Sequence, residues 1–133
     1  MAENTQRLEI VTPEKKVFSG DVRFVVAPGE LGQLGILPNH APLMSGLKIG
    51  LVKVEQEGKT FKVAVSGGFV EVAKNKVTIL ADVAERDDQI DRERAEKAKE
   101  RAEKRLSEKH ADLDLKRAEM ALQRALNRLK AVQ

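Results

Sequence analysis

The sequence contains no cysteine, no tryptophan and no tyrosine, and only four phenylalanines in 133 residues. Without cysteine there is no disulfide, no thiolate nucleophile and no cysteine-ligated metal, which fits a reducing compartment or indifference to redox. Without tyrosine or tryptophan there is little for nucleic-acid bases to stack on. Basic residues are also interleaved with acids at a formal net charge of only +3, so nucleic acid is not an expected partner. No apolar run approaches the ~20 residues that span a bilayer, and residues 1–9 lack the basic-then-apolar order of a signal peptide. The expectation is a soluble chain of cytosolic topology.

A second absence is local. Residues 85–133 contain no glycine and no proline, whereas all nine glycines, all four prolines and all four phenylalanines precede residue 70. Residues 85–133 carry 14 basic and 12 acidic side chains, against 10 and 9 in residues 1–84. The split predicts two domains: residues 1–84, built of turns and strands, and residues 85–133, a helical arm. The border, Glu85 to Ala95, reads E-R-D-D-Q-I-D-R-E-R-A. Asp88 or Asp91 can cap a first turn, and Asp87 and Glu93 suit its positive end, so the helix should start between 88 and 91.

In the first part, Leu8 and Ile10 alternate toward Pro13, and Val17-Phe18 precede a turn-like Ser19-Gly20-Asp21. Val22, Phe24 and Val26 alternate up to Pro28-Gly29, and residues 47–54 form a strand closed by a turn at Glu55-Gln56-Glu57-Gly58. Phe61, Val63 and Val65 return, Ser66-Gly67-Gly68 turns, and residues 69–72 and 77–80 form a hairpin around Lys74-Asn75. Short strands with turns every 8–12 residues and no intervening helix predict an antiparallel β-sandwich or flattened barrel. A core of this size is marginal, burying roughly 60% of its unfolded surface.

The stretch from Gly29 to Met44 is apolar and glycine-rich. It reads either as a loop folded over the sandwich edge or as a partner-facing surface. It is not a phosphate cradle, since Pro38 and Pro42 forbid the required helix and the P-loop lysine is missing. His40 and His110 stand alone without metal-ligand spacing, and Ser66 lacks the G-x-S-x-G context of a nucleophile. No catalytic constellation is present.

In the arm, Ala95, Ala98, Ala102 and Leu106 form one stripe, with Glu93–Lys97 and Glu100–Lys104 as i,i+4 pairs on solvated faces. The pattern loses register over residues 107–112, and Asp112 or Asp114 can cap a second helix. There Leu115, Ala118, Leu122, Ala125, Leu129 and Val132 make a heptad seam. An antiparallel two-helix hairpin is the economical fold, giving an α+β chain. With so little to bury, the pair can stay docked or open into one rod about 65 Å long. After Glu119 there is no acid, while Arg124, Arg128 and Lys130 remain, either as a solvated face or as an anion clamp.

Four segments together resemble the epsilon subunit of bacterial F-type ATP synthases over essentially the whole chain: Gly35-Ile36-Leu37-Pro38-Asn39-His40-Ala41-Pro42-Leu43, Val65-Ser66-Gly67-Gly68-Phe69-Val70-Glu71-Val72, Val77-Thr78-Ile79-Leu80-Ala81-Asp82 and Lys116-Arg117-Ala118-Glu119. The resemblance implies a non-catalytic central-stalk subunit, peripheral on the cytoplasmic face of the bacterial membrane. Its sandwich would lie against the gamma subunit and the ring of membrane c subunits. Its arm would inhibit ATP hydrolysis when extended among the alpha and beta catalytic subunits. Gln33, where the family often has Glu, and His40 would face the c ring. Ile90-Asp91-Arg92-Glu93-Arg94-Ala95 is similar to the I-D-x-x-R-A element of nucleotide-binding epsilon subunits, and Arg124 and Arg128 match their phosphate-contacting arginines. This implies ATP as a regulatory ligand that is not hydrolysed and needs no metal, held by Glu85, Ile90, Asp91, Arg94, Ala95, Arg124 and Arg128. The other functional class compatible with the residues is a free-standing binding module whose helices sequester an unrelated helical partner.

Overall fold

A computed structural model describes residues 4–108 and 112–133. The chain divides into two compact units, Met1–Arg86 and Asp87–Gln133. The first contains β1 (Gln6–Val11), β2 (Lys16–Val22), β3 (Phe24–Gly29), β4 (Gly32–Ile36), β5 (Leu43–Gly46), β6 (Gly50–Gln56), β7 (Lys59–Ala73) and β8 (Lys76–Arg86). Hydrogen bonds order them β2-β1-β8-β7-β6-β3-β4, with β5 added to β7. The expected β-sandwich is what the chain builds. One seam departs from antiparallel pairing: β1 and β8 run parallel, from Arg7↔Lys76 to Val11↔Leu80. No local turn signal could mark it, because the two strands come from opposite ends of the unit.

The layers are joined by β7 itself. Its Lys59–Val65 half pairs with β6, its Phe69–Val72 half pairs with β5, and β8 follows it along both. The corner falls at Gly67 (φ +74) and Gly68 (φ +114), where a side chain would be strained. At Gly68 a Cβ would also collide with the Leu80 carbonyl oxygen. Ser66-Gly67-Gly68 is therefore not the turn read from the sequence. The register runs on through it, from Ser66↔Val83 to Gly68↔Ala81, so the glycines bend one long strand between layers.

Two other strands correct the sequence reading. Ser19-Gly20-Asp21 lies inside β2, paired with β1 through Glu9↔Ser19 and Leu8↔Gly20. Part of the supposed Gly29–Met44 loop is β4, a hairpin partner of β3 from Val25↔Ile36 to Gly29↔Gly32. In both places glycine within a paired strand gives the same local signal as glycine in a turn. The two-residue hairpins were legible: Glu57-Gly58 and Lys74-Asn75 have positive φ at both central residues, as type I′ turns require.

The core lies between the layers and is aliphatic. Leu8, Ile10, Val25, Val52, Val54, Val63, Val65, Val70 and Ile79 are all fully buried. On β3 the inward residues are Val25 and Ala27, while Phe24 and Val26 are half-buried. The expected run of Val22, Phe24 and Val26 fails because the chain breaks between β2 and β3 at Arg23, which resets the alternation. Buried Gln6 on β1 donates from Nε2 to the Ile36 carbonyl (2.8 Å) and the Arg23 carbonyl (3.3 Å), tying β1 to the end of β4 and the start of β3. At the end of β8, the Arg86 guanidinium carbon sits 3.9 Å from the Phe61 ring centroid and 5.9 Å from that of Phe18.

In the second unit a 3₁₀ turn (Asp87–Gln89) leads to α1 (Arg92–Ser107) and α2 (Asp112–Ala131). Of the two expected caps, Asp91 is the one used. It is extended (φ −84°, ψ 107°), and its carboxylate accepts a hydrogen bond from the Arg94 N–H at 3.2 Å. The strand before it runs through Glu85 to Arg86, so the first unit continues past residue 84. Helix α1 ends where the pattern lost register. The Ser107 hydroxyl donates to the Lys104 carbonyl (2.7 Å), and extended Glu108 turns its N–H back to the Arg105 carbonyl (3.3 Å). His110 and the side chain of Asp112 lie outside the described residues.

The helices form an antiparallel hairpin: the Arg92 guanidinium donates to the Val132 carbonyl at 3.4 Å, setting the start of α1 beside the end of α2. They meet through the predicted seam. Ala95, Ala102, Ala118 and Ala125 are at most 3% exposed, while Leu106, Leu115, Leu122 and Leu129 flank them half-buried. Small residues at the centre permit close approach, but each buries little.

Candidate functional site

Six of the seven residues implied for nucleotide lie in the helical unit, while Glu85 belongs to β8, paired with Ala64 of β7 and half-buried. Because the Arg92 guanidinium reaches the Val132 carbonyl, the first turn of α1, with Arg94, and the last turn of α2, with Arg128, lie at the same end of the hairpin. Arg124 is one turn, about 6 Å, further from that end than Arg128. The hairpin thus brings a residue of the I-D-x-x-R-A element to the same end as the i,i+4 arginine pair, which sequence separation alone could not do.

The side chains differ in exposure. Arg94 is exposed, and Ile90, Arg124 and Arg128 are half-buried. Ala95 is 2% exposed and belongs to the inter-helix seam, so its methyl is occupied by packing. The Asp91 carboxylate already caps α1. A carboxylate has about four acceptor positions, so capping leaves room for a second donor.

Arg124 also lines a shallow hollow of about 500 Å³ with Arg105, Lys116, Arg117, Met120 and Ala121. The lining is cationic with an apolar floor and contains no acid. The sequence reading treated Arg124 with Arg128 alone, because Arg105 is distant in the chain and reaches the cluster only when the hairpin closes.

On the sandwich, Gln33 is exposed near the start of β4, opposite Pro28 of β3. His40 is exposed beyond its end, so about 10 Å of strand separates the levels of Gln33 and Ile36, after which the chain turns toward His40. The His40 loop is held in place. The His40 N–H donates to the Leu37 carbonyl (3.2 Å), and its Nδ1 lies 2.7 Å from the Ala41 carbonyl oxygen. The Asn39 N–H donates to the side-chain oxygen of Asn75 (2.8 Å), whose amide nitrogen donates to the Thr5 carbonyl (2.9 Å). Asn75 was read only as a hairpin residue. Its second role, clamping the His40 loop to β1, has no local signature.

Several large apolar side chains are exposed: Leu31 at the β3–β4 turn, and Leu37, Met44, Phe69, Leu80 and Val83. Among the described residues no group of acids and histidines is arranged to hold a metal, and no helix is long and apolar enough to cross a membrane.

Comparison with known proteins gives these features a context. The description "ATP synthase, Delta/Epsilon chain, beta-sandwich domain" matches residues 5–87, and "ATP synthase, Delta/Epsilon chain, long alpha-helix domain" matches residues 88–133. The chain belongs to the epsilon-chain family of ATP synthases. It is 67% identical to the ATP synthase epsilon chain of Pelotomaculum thermopropionicum, with 98% of each chain covered. It is 61% identical to that of Desulforamulus reducens, covering 97% of this chain and 98% of the relative. Among solved structures, a chain of the Euglena gracilis mitochondrial ATP synthase (OSCP/F1/c-ring) superposes with a TM-score of 0.82 at 25% identity, over 95% of this chain and 80% of that one. A Tetrahymena thermophila ATP synthase central stalk/c-ring chain, at 16% identity and a TM-score of 0.64, shares the fold. The two halves of this epsilon-family architecture correspond to the two units described above.

Proposed function

We propose that the chain is a non-catalytic central-stalk subunit of a bacterial F-type ATP synthase, coupling gamma to the c ring and restraining ATP hydrolysis through its helical arm. Bound ATP would favour the compact arm. The observation that carries the regulatory part is the antiparallel hairpin with an alanine seam, in which Arg94 and Arg128 lie at the same end. Two helices joined through such small residues are separable at modest cost. A ligand that bridges them shifts the balance by its preference for the closed state.

The phosphates of ATP would be held by the guanidinium groups of Arg94, Arg124 and Arg128. Each charge-assisted hydrogen bond is worth about 1.5–3 kcal/mol, so two match the weak docking of the arm. Ile90 would offer apolar contact to the base, and Asp91 would supply an acceptor for its amino group or the ribose. Hydrolysis would be restrained when the hairpin opens and its acid-free C-terminal segment, carrying Arg124, Arg128 and Lys130, meets acidic surfaces of the alpha and beta subunits. Gln33 and His40 would contact the c ring from the sandwich.

The test has two arms. ATP is titrated calorimetrically into the isolated protein, its Arg94→Ala variant and its Arg128→Ala variant. Saturable binding that both substitutions weaken at least tenfold is expected, and no heat at millimolar ATP overturns the nucleotide site. The assembled synthase is then assayed for ATPase with and without residues 87–133. An unchanged rate overturns the inhibitory arm.

A further inference from the structure

The sandwich carries a hollow of about 680 Å³ that none of the residues discussed so far explains. Its walls include the outward faces of Phe69 and Leu80, cross-strand partners on β7 and β8 that are 59% and 55% exposed. Its rim carries two carboxylates, Glu30 and Asp82, and its lining includes no lysine or arginine.

Glycines leave room for both carboxylates. A Cβ at Gly67 would sit 2.6 Å from an Asp82 carboxylate oxygen, and one at Gly46 would sit 2.5 Å from a Glu30 carboxylate oxygen. Each carboxylate therefore lies across a glycine, so close that a side chain there would displace it. Neither carboxylate engages a basic side chain among the described residues, whereas Asp21, Glu55, Glu9 and Glu93 elsewhere do.

We infer that this hollow is a docking socket for a partner segment presenting one lysine or arginine flanked by apolar residues, the cation seated between Glu30 and Asp82 and its neighbours against Phe69 and Leu80. The inference rests on membership of the synthase and names a contact within it. Charge complementarity selects the occupant. An all-apolar segment would strip water from two carboxylates without compensation, and an acidic one would be repelled. Arginine suits the position best, because its planar fork can face both carboxylates while its stem lies on the phenyl ring. The volume is that of an ordinary binding cleft, sufficient for a side chain with its flanking residues.

The probe is the catalytic sector of the synthase, stripped of this subunit and immobilised, with binding of the full chain followed at several salt concentrations. The parent is expected to bind, and Glu30→Gln/Asp82→Asn to bind at least about tenfold more weakly with a flatter salt dependence. Phe69→Ser/Leu80→Ser is expected to lose affinity with the salt dependence intact. Thermal melts of the free variants separate docking from folding, since all four side chains face solvent. If the parent binds and the neutralised variant matches it at every salt concentration, the socket is refuted while stalk membership stands. If the parent does not bind, stalk membership fails and the socket with it. If the parent dimerises in solution and Phe69→Ser/Leu80→Ser abolishes the dimer, the occupant is a second copy and the inference is overturned.

Discussion

The sandwich and the arm solve the problem of burial in opposite ways. The sandwich fills its centre with Leu, Ile and Val at zero exposure, each contributing about 1.5–3 kcal/mol. The arm buries alanines and leaves its leucines half-exposed. A β-sandwich core of interdigitated branched side chains has one good arrangement, whereas an alanine seam gives specific alignment with little binding energy. The sandwich is the more firmly packed of the two units, and the difference follows from side-chain volume.

That contrast can be broken most directly at the strand corner. Gly68→Val adds a β-branched side chain at φ +114, onto the Leu80 carbonyl, and should prevent the sandwich from folding, seen as loss of its cooperative melt. A graded version is Ile79→Ala, which should destabilise the sandwich by about 2–5 kcal/mol in denaturant titrations, with helical circular dichroism little changed. In the arm the parallel test is overpacking. Ala125→Leu puts a large side chain into the seam at a fully buried position and should cost the hairpin about 1–3 kcal/mol, enough to shift it toward separated helices while the sandwich melt stays put. Spin labels on the two helices would report the separation. Asp91→Ala removes the cap of α1 and should cost about 1 kcal/mol, read as fraying of the first turn by hydrogen exchange. The smallest effect is expected from Glu93→Gln, whose ion pair with Lys97 is 3.6 Å long and largely solvated, and whose loss should leave the arm's melting within error of the parent.

The arm was more legible than the sandwich. A helix pattern repeats every few residues, so Ala95, Ala102, Ala118 and Ala125 announce their burial from local sequence alone. The sandwich depends on pairings between distant strands. Glycine was the recurrent misdirection: at Gly20 and Gly35 it sits inside strands, and at Gly67-Gly68 it bends one. The parallel β1–β8 seam and the Gln6 and Asn75 ties join residues 17 to 70 positions apart, beyond the reach of any pattern. For the sites the division is similar. The I-D-x-x-R-A element and the arginine pair could be read by motif. The hollow lined by Glu30, Phe69, Leu80 and Asp82 forms only when distant strands pair, and its carboxylates look like any surface acids in the sequence.

The stacked guanidinium at Arg86 has a mechanical consequence. Arg86 is the last residue of β8, and its position over Phe61 and beside Phe18 fixes the chain's exit from the sandwich. Phe61 is also part of the sandwich core, so a single ring serves both the buried centre and the last residue of β8. A change at Phe61 would therefore be felt in the core and at the strand's end together.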